Sequence, residues 1–361
     1  MIQKRVIYCL SLVALMGLCA CSNDSGPSID PPASGAIIDP AVGGPTQPNQ
    51  VFIDLSKESQ TSVARNAWDL GFYTGSDFRV ILNNSSSTLA RPIQKVELND
   101  VSAADTVGFG VQLNIDAIFG ALFGPPPVWL PEAKTWSDDP SGDLTKTAID
   151  EISDTAEDNP VYIINRGKNP DGSPRGWMKV RTLRNGEGYT LQYAEINATS
   201  YQELNVSKRD DIDFVAVSFD TGIITTIPER NDWDFAFTIF TDLLTVGPGT
   251  SIPYAIRDYV ISNRNGVEVA QVEVTGEIGY DNFSYGQIGS VDFSTAISAI
   301  GNGWRNVAQP GSNIETGVKE GIFYVVKDTS GNYYKLRFTR LVDAQSGERG
   351  NPQFQYDLLE E

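Results

Sequence analysis

Two residue pairs mark where this chain could do chemistry, Trp68-Asp69 and Trp233-Asp234. They lie in two matching stretches, Arg65-Asn66-Ala67-Trp68-Asp69-Leu70-Gly71-Phe72 and Arg230-Asn231-Asp232-Trp233-Asp234-Phe235-Ala236-Phe237. Arg, Asn, Trp, Asp and Phe recur at the same five offsets, 165 residues apart. An indole donor beside a carboxylate could form a chemical site in duplicate. The plainer account is a strand whose tryptophan anchors a core through its large apolar surface. Period-2 pleating then puts Trp68, Leu70 and Phe72 on one face and Asp69 on the other.

The remaining inventory of reactive side chains is thin. There is no histidine, and the three cysteines are Cys9, Cys19 and Cys21. Ser-His, Cys-His and His-zinc arrangements are therefore excluded. The sequence contains no Gly-rich phosphate loop, Gly-x-Ser-x-Gly turn or Walker sequence. Paired carboxylates could hydrolyse glycosides, but 46 acidic residues supply many accidental pairs. No catalytic residue is assigned, and the chain reads as non-enzymatic. Asp138-Asp139-Pro140-Ser141-Gly142-Asp143 could gather calcium, but a turn leading into a helix capped by Asp143 explains it as well. Asp210, Asp211 and Asp213 read as solvated linker charge.

These residues sit in a chain with an export address. Lys4 and Arg5 precede the apolar run Val6–Leu18, which is short for a membrane span, and Leu18-Cys19-Ala20-Cys21 closes it. Leu-x-x-Cys in that position resembles the bacterial lipobox, which makes residues 1–21 a signal and Cys21 the lipidated residue. Acyl chains at about 0.8 kcal/mol per buried methylene would then hold the protein on a membrane. Loss of the signal leaves 25 of the 27 basic residues against 46 acidic ones, a surface that repels nucleic acid. It also removes Cys9 and Cys19 and leaves Cys21 acylated at the new N-terminus, so no disulfide is expected in the mature body. Residues 22–50, rich in Pro, Gly and Ser, read as a flexible tether with a reach of roughly 95 Å.

Beyond the tether, further matches follow the Trp-Asp copies in order. Arg79-Val80-Ile81-Leu82-Asn83 corresponds to Tyr259-Val260-Ile261-Ser262-Asn263, and Val161–Ile164 to Phe323–Val326. Met178–Arg181 corresponds to Tyr334–Arg337, and Leu191–Tyr193 to Phe354–Tyr356. These segments are β-branched or aromatic, alternate in polarity and are bounded by turn residues. Asp328–Asn332 reads as a hairpin turn. The expected fold is mainly antiparallel β, duplicated in tandem as units 51–210 and 211–361, with a few short helices. One such helix should carry Leu144, Ala148, Ile149 and Ile152 behind Asp143, and another Ala296, Ile297 and Ile300.

The ordered set Asn66-x-Trp68-Asp69-x-x-Phe72, Arg79–Asn83, Phe323–Phe338, Gly347–Gly350 and Phe354–Tyr356 resembles the HmuY family. That resemblance implies an outer-membrane, cell-surface lipoprotein that captures haem or another porphyrin beside a TonB-dependent receptor. It also implies iron held between two histidines or two methionines. The corresponding intervals here, roughly 85–160 and 265–320, contain neither type, so no axial ligand carries over. Met178 is the one methionine outside the signal. It shares a strand face with Val180 and Thr182, which suits core packing, and is the single thioether available as a haem ligand. Phe119, Phe123 and Trp129 lie in an apolar loop rich in Pro and Gly, and are expected to contact a ligand or partner. The alternative function is a structural or adhesive surface module that has lost haem.

Overall fold

A computed structural model describes residues 31–309, 311 and 313–361. Its contacts divide the chain after Pro31, and the body described here runs from Pro32 to Glu361. The expected signal and the lipidation site Cys21 lie outside the described residues. No helix among the described residues is long and apolar enough to cross a membrane.

The body is mainly β, as expected. Its first half contains β1 (Gly35–Ile38), β2 (Asn49–Asp54), β3 (Ser59–Ala64), β4 (Leu70–Tyr73), β5 (Val80–Leu82) and β6 (Leu89–Pro92). After a long interval come β7 (Tyr162–Asn165), β8 (Trp177–Asn185), β9 (Gly188–Glu195), β10 (Gln202–Val206), β11 (Phe214–Ser218) and β12 (Gly222–Ile224). The second half contains β13 (Phe235–Gly247), β14 (Thr250–Ser262), β15 (Glu268–Glu273), β16 (Arg305–Asn306) and β17 (Gly317–Val318). It ends with β18 (Ile322–Lys327), β19 (Tyr333–Val342) and β20 (Arg349–Leu358).

Two five-stranded sheets, in the orders β10-β9-β8-β7-β6 and β1-β20-β19-β18-β15, accompany two four-stranded ones. The latter run β12-β11-β4-β5 and β14-β13-β2-β3, and β16-β17 form a small ribbon. All pairings are antiparallel, so alternate residues enter a core. In β19 Tyr334, Leu336 and Phe338 are buried while Lys335 and Arg337 lie on the other face. Leu70 and Phe72 join Ile164, Val180 and Leu191 in one core. Phe235 and Phe237 join Trp304, Phe338 and Phe354 in another.

The two Trp-Asp stretches have the same local geometry. Asp69 N–H donates to Val217 O at 2.8 Å, and Asp234 N–H to Ile53 O at 2.7 Å. The Asn83 side-chain amide donates to the carbonyls of Arg65 and Trp68, each at 2.8 Å. Asn263 does the same to Arg230 and Trp233, each at 2.7 Å. Both tryptophans, however, sit in a turn before the strand begins at Leu70 or Phe235. The period-2 extrapolation therefore fails for Trp68, which leaves the face that Leu70 and Phe72 share.

The sheets also partition the chain differently from the expected boundaries. β1 pairs with β20, and β2 with β13, so the strands before the first Trp-Asp stretch complete sheets of the second. The expected tether through Gln50 is thus corrected, because Gly35–Ile38 and Asn49 onward are strand. The helix expected through Ile152 shrinks to one turn, Leu144–Lys146, capped by Asp143. Its remaining N–H groups find non-helical acceptors: Ala148 donates to Asp138, Asp150 to the Tyr162 hydroxyl, and Ile152 to Phe78 O. The segment Ala296–Ile300 is a turn rather than a helix.

Candidate functional site

The small four-stranded sheets leave between them a cavity of about 150 Å³. Gly71 and Ile81 come from β4 and β5, Phe214 and Ala216 from β11, Phe52 from β2, Phe240 from β13 and Ile261 from β14. Both Trp68 and Trp233 line it. Small residues keep it open. A Cβ at Gly71 would stand 2.8 Å from Ile81 Cγ1, so any side chain there would crowd the wall. Trp233 packs edge-on against Phe52 at 5.1 Å, and Trp68 is almost wholly buried.

Six charged residues line the same space, and four of them, Asp138, Asp213, Arg230 and Arg264, form two opposed pairs beside Asp139 and Asp143. Asp138 accepts from the backbone of Leu82 at 2.7 Å and of Ala148 at 2.9 Å. Burial pushes its carboxyl up to about 6, against those hydrogen bonds and the Arg264 charge. Burial lowers the Arg264 pKa against the pull of Asp213. Its guanidinium donates to Gly142 O at 3.2 Å and lies 4.9 Å from the Phe214 ring centre. Asp213 is raised by burial, with Arg230 and Arg264 opposing. Arg230 donates to Ile212 O at 2.6 Å, while its Nε stands 3.7 Å from Asp213, beyond hydrogen-bond reach.

Several buried polar atoms of the lining have no hydrogen-bond partner in the protein. They are Trp68 Nε1, Ser262 Oγ, Arg230 Nε and Asn84 Oδ1. Unpaired buried donors cost about 1–3 kcal/mol each, which makes such a cluster informative.

Asp138, Asp139, Asp143 and Asp213, singled out in the sequence, line this cavity, whereas Phe119, Phe123, Trp129 and Met178 lie elsewhere. Phe119 is half-buried in the helix Ile115–Gly120 and packs on Tyr254 at 5.2 Å. Phe123 is 81% exposed, and Trp129 is half-buried against Trp136 at 5.7 Å. Met178 is buried in the core with Ile164, Val180 and Tyr193, so its thioether is packing rather than a free ligand. Asp139 and Asp143 accept hydrogen bonds from their own turns. Among the described residues no group of three or more His, Cys, Asp or Glu could hold a metal ion. The signal for the cavity was the pair of tryptophans, which sequence reasoning assigned to the core.

An iron porphyrin does not fit these residues. No imidazole exists in the chain, and the one thioether outside the signal is committed to packing. The cavity, which is partly open to solvent, has the volume of one that takes a single benzene ring, whereas a porphyrin carries four pyrroles.

A family model described as HmuY protein matches residues 46–356. The chain belongs to the HmuY family. That family comprises surface lipoproteins that bind haem and are not enzymes. The match bears out the resemblance read from the Trp-Asp, Arg79–Asn83 and Phe323–Phe338 segments. Among solved structures, apo PinO of Porphyromonas gingivalis is 14% identical, with a TM-score of 0.22. That alignment covers 45% of this chain and 86% of PinO. No match is found among curated proteins.

Proposed function

We propose that this HmuY-family protein is a lipid-anchored, outer-membrane surface protein that captures a ligand in the cavity between Trp68 and Trp233 without ligating iron. The observation that carries the reading is that cavity, with aromatic walls and unpaired buried polar atoms. Family membership supports surface capture, and the missing axial ligands turn the assignment away from coordinated haem. Haemin titration of the protein lacking residues 1–21 tests this. Weak, non-saturating uptake is expected, and Met178→Leu should leave the spectra unchanged. A saturable Soret shift would restore haem capture.

Cys21 is the proposed anchor, and the two halves are read as tandem copies of one β module. The matching Asn83 and Asn263 hydrogen bonds support that kinship. An outer-membrane receptor of the TonB-dependent class is the proposed partner, with Phe119, Phe123 and Trp129 at the contact. Exposure of Phe123 and of Val128, 81% and 97%, equally favours an adhesive surface module as the second reading. Replacing both by Ser separates the two. Lost receptor pull-down supports a receptor contact, whereas lost cell adhesion with intact pull-down supports the adhesive module.

A further inference from the structure

We infer that the cavity takes a single-ring, planar, uncharged aromatic molecule bearing an oxygen acceptor, an assignment that rests on the cavity being the ligand site. Size comes first. About 150 Å³ is the volume of an engineered apolar cavity known to hold one benzene ring. Shape comes from the walls, where Trp68, Trp233, Phe52, Phe214 and Phe240 present ring faces and edges to whatever enters.

Charge is settled by the lining itself. Arg230 faces Asp213, and Arg264 feels the opposing charges of both Asp213 and Asp138. Arg264 is further occupied by Gly142 O and the Phe214 ring. Asp143 is held by Lys146 at 2.8 Å, and Asp139 beside it acts on the same ammonium and accepts from Ser141 N at 2.9 Å. Neither a cation nor an anion would meet an uncompensated partner, and desolvating a charge without one is expensive.

The polar requirement comes from the unpaired atoms. Trp68 Nε1 can only donate, Arg230 Nε can only donate, and Ser262 Oγ can do either. Three potential donors against the single acceptor Asn84 Oδ1 ask for a ligand oxygen. All four atoms are covered in this structure, so a carbonyl or hydroxyl on the ring would supply it once the Trp68, Arg230 and Ser262 side chains turn towards it.

The test uses equilibrium dialysis of the full-length chain in detergent against three single-ring probes. Benzamide is neutral with a carbonyl acceptor, benzoate is anionic and benzylamine is cationic. Ser262→Leu, which fills the cavity, gives the background. Saturable benzamide binding above background, with both charged probes at least about tenfold weaker, is the expected result. Tighter benzoate or benzylamine would overturn the ligand class while leaving the cavity as a binding site. No saturable binding of any probe would overturn the cavity assignment and the class with it. Trp68→Phe should weaken benzamide about tenfold while lowering Tm only by the packing lost with the smaller ring, since the donor it removes has no partner in the protein. Unchanged affinity would overturn the role given to the indole. If that variant fails to fold, Ser262→Ala tests the polar requirement through the hydroxyl instead, and unchanged affinity there would overturn the ligand oxygen.

Discussion

Asp69 and Asp234 occupy the same position in their stretches, make the same backbone hydrogen bond and are both buried, yet their electrostatic surroundings are opposite. Asp69 faces two arginines, Arg166 at 2.9 Å and Arg175 at 2.8 Å, and accepts from Phe219 N at 2.9 Å. Burial works against the Arg166 guanidinium, but Asp69 and Asp220 outweigh it and hold its pKa above the usual range. Among the described residues no arginine pairs with Asp234. It accepts from Leu55 N at 2.7 Å and Thr329 N at 3.1 Å. Burial, with Asp328 and Asp54 close by, pushes its carboxyl up to about 7. The short motif thus fixes a backbone turn, while residues arriving from 54, 166, 175 and 328 decide the charge.

The largest effect should separate the two carboxylates. Asp69→Ala strands the buried Arg175 guanidinium and leaves Arg166 only the exposed Asp220, and should cost about 3–5 kcal/mol in chemical denaturation. Asp234→Asn should cost well under half as much at pH 8, and equal losses would break the comparison. The next effect is in the pH profile. Because folding raises the Asp234 pKa from 3.8 to about 7, its contribution is full below pH 4 and is lost as pH rises through 7. The stability difference between wild type and Asp234→Asn should therefore shift by up to a few kcal/mol across that window. A flat difference would refute the assignment.

Asn83→Ala and Asn263→Ala sharpen the shared part. Each removes two hydrogen bonds to carbonyls, so each should cost about 1–3 kcal/mol, with near-equal Tm losses. The smallest effect compares Gly71 with its counterpart Ala236. Gly71→Ala crowds Ile81 and Ala236→Gly loosens a packed site, so each should lower stability by about 1 kcal/mol.

Strand identity was legible wherever side chains alternate, as in Tyr334, Leu336 and Phe338, because one-sided burial imposes that period. The family was legible in the same segments. Gly35–Ile38 was not, since four residues among prolines carry little local signal and become strand only through β20. The helix through Ile152 was misread because Asp138, Tyr162 and Phe78, distant in sequence, take its donors. The cavity was hidden for a related reason. Its walls come from β2, β4, β11, β13 and β14, and only tertiary structure brings Trp68 towards Trp233.

The pairing of Gly35 with Asp357 bears on how the chain can be made. A ribosome delivers β1 long before β20, so the second core stays open until β20 has emerged. Closing so long a loop carries an entropy cost that grows only logarithmically with its length, but sequence-distant pairing slows the search. Deleting residues 352–361 would strand β1 without its neighbour, and in the intact chain β1 would be among the last strands to settle.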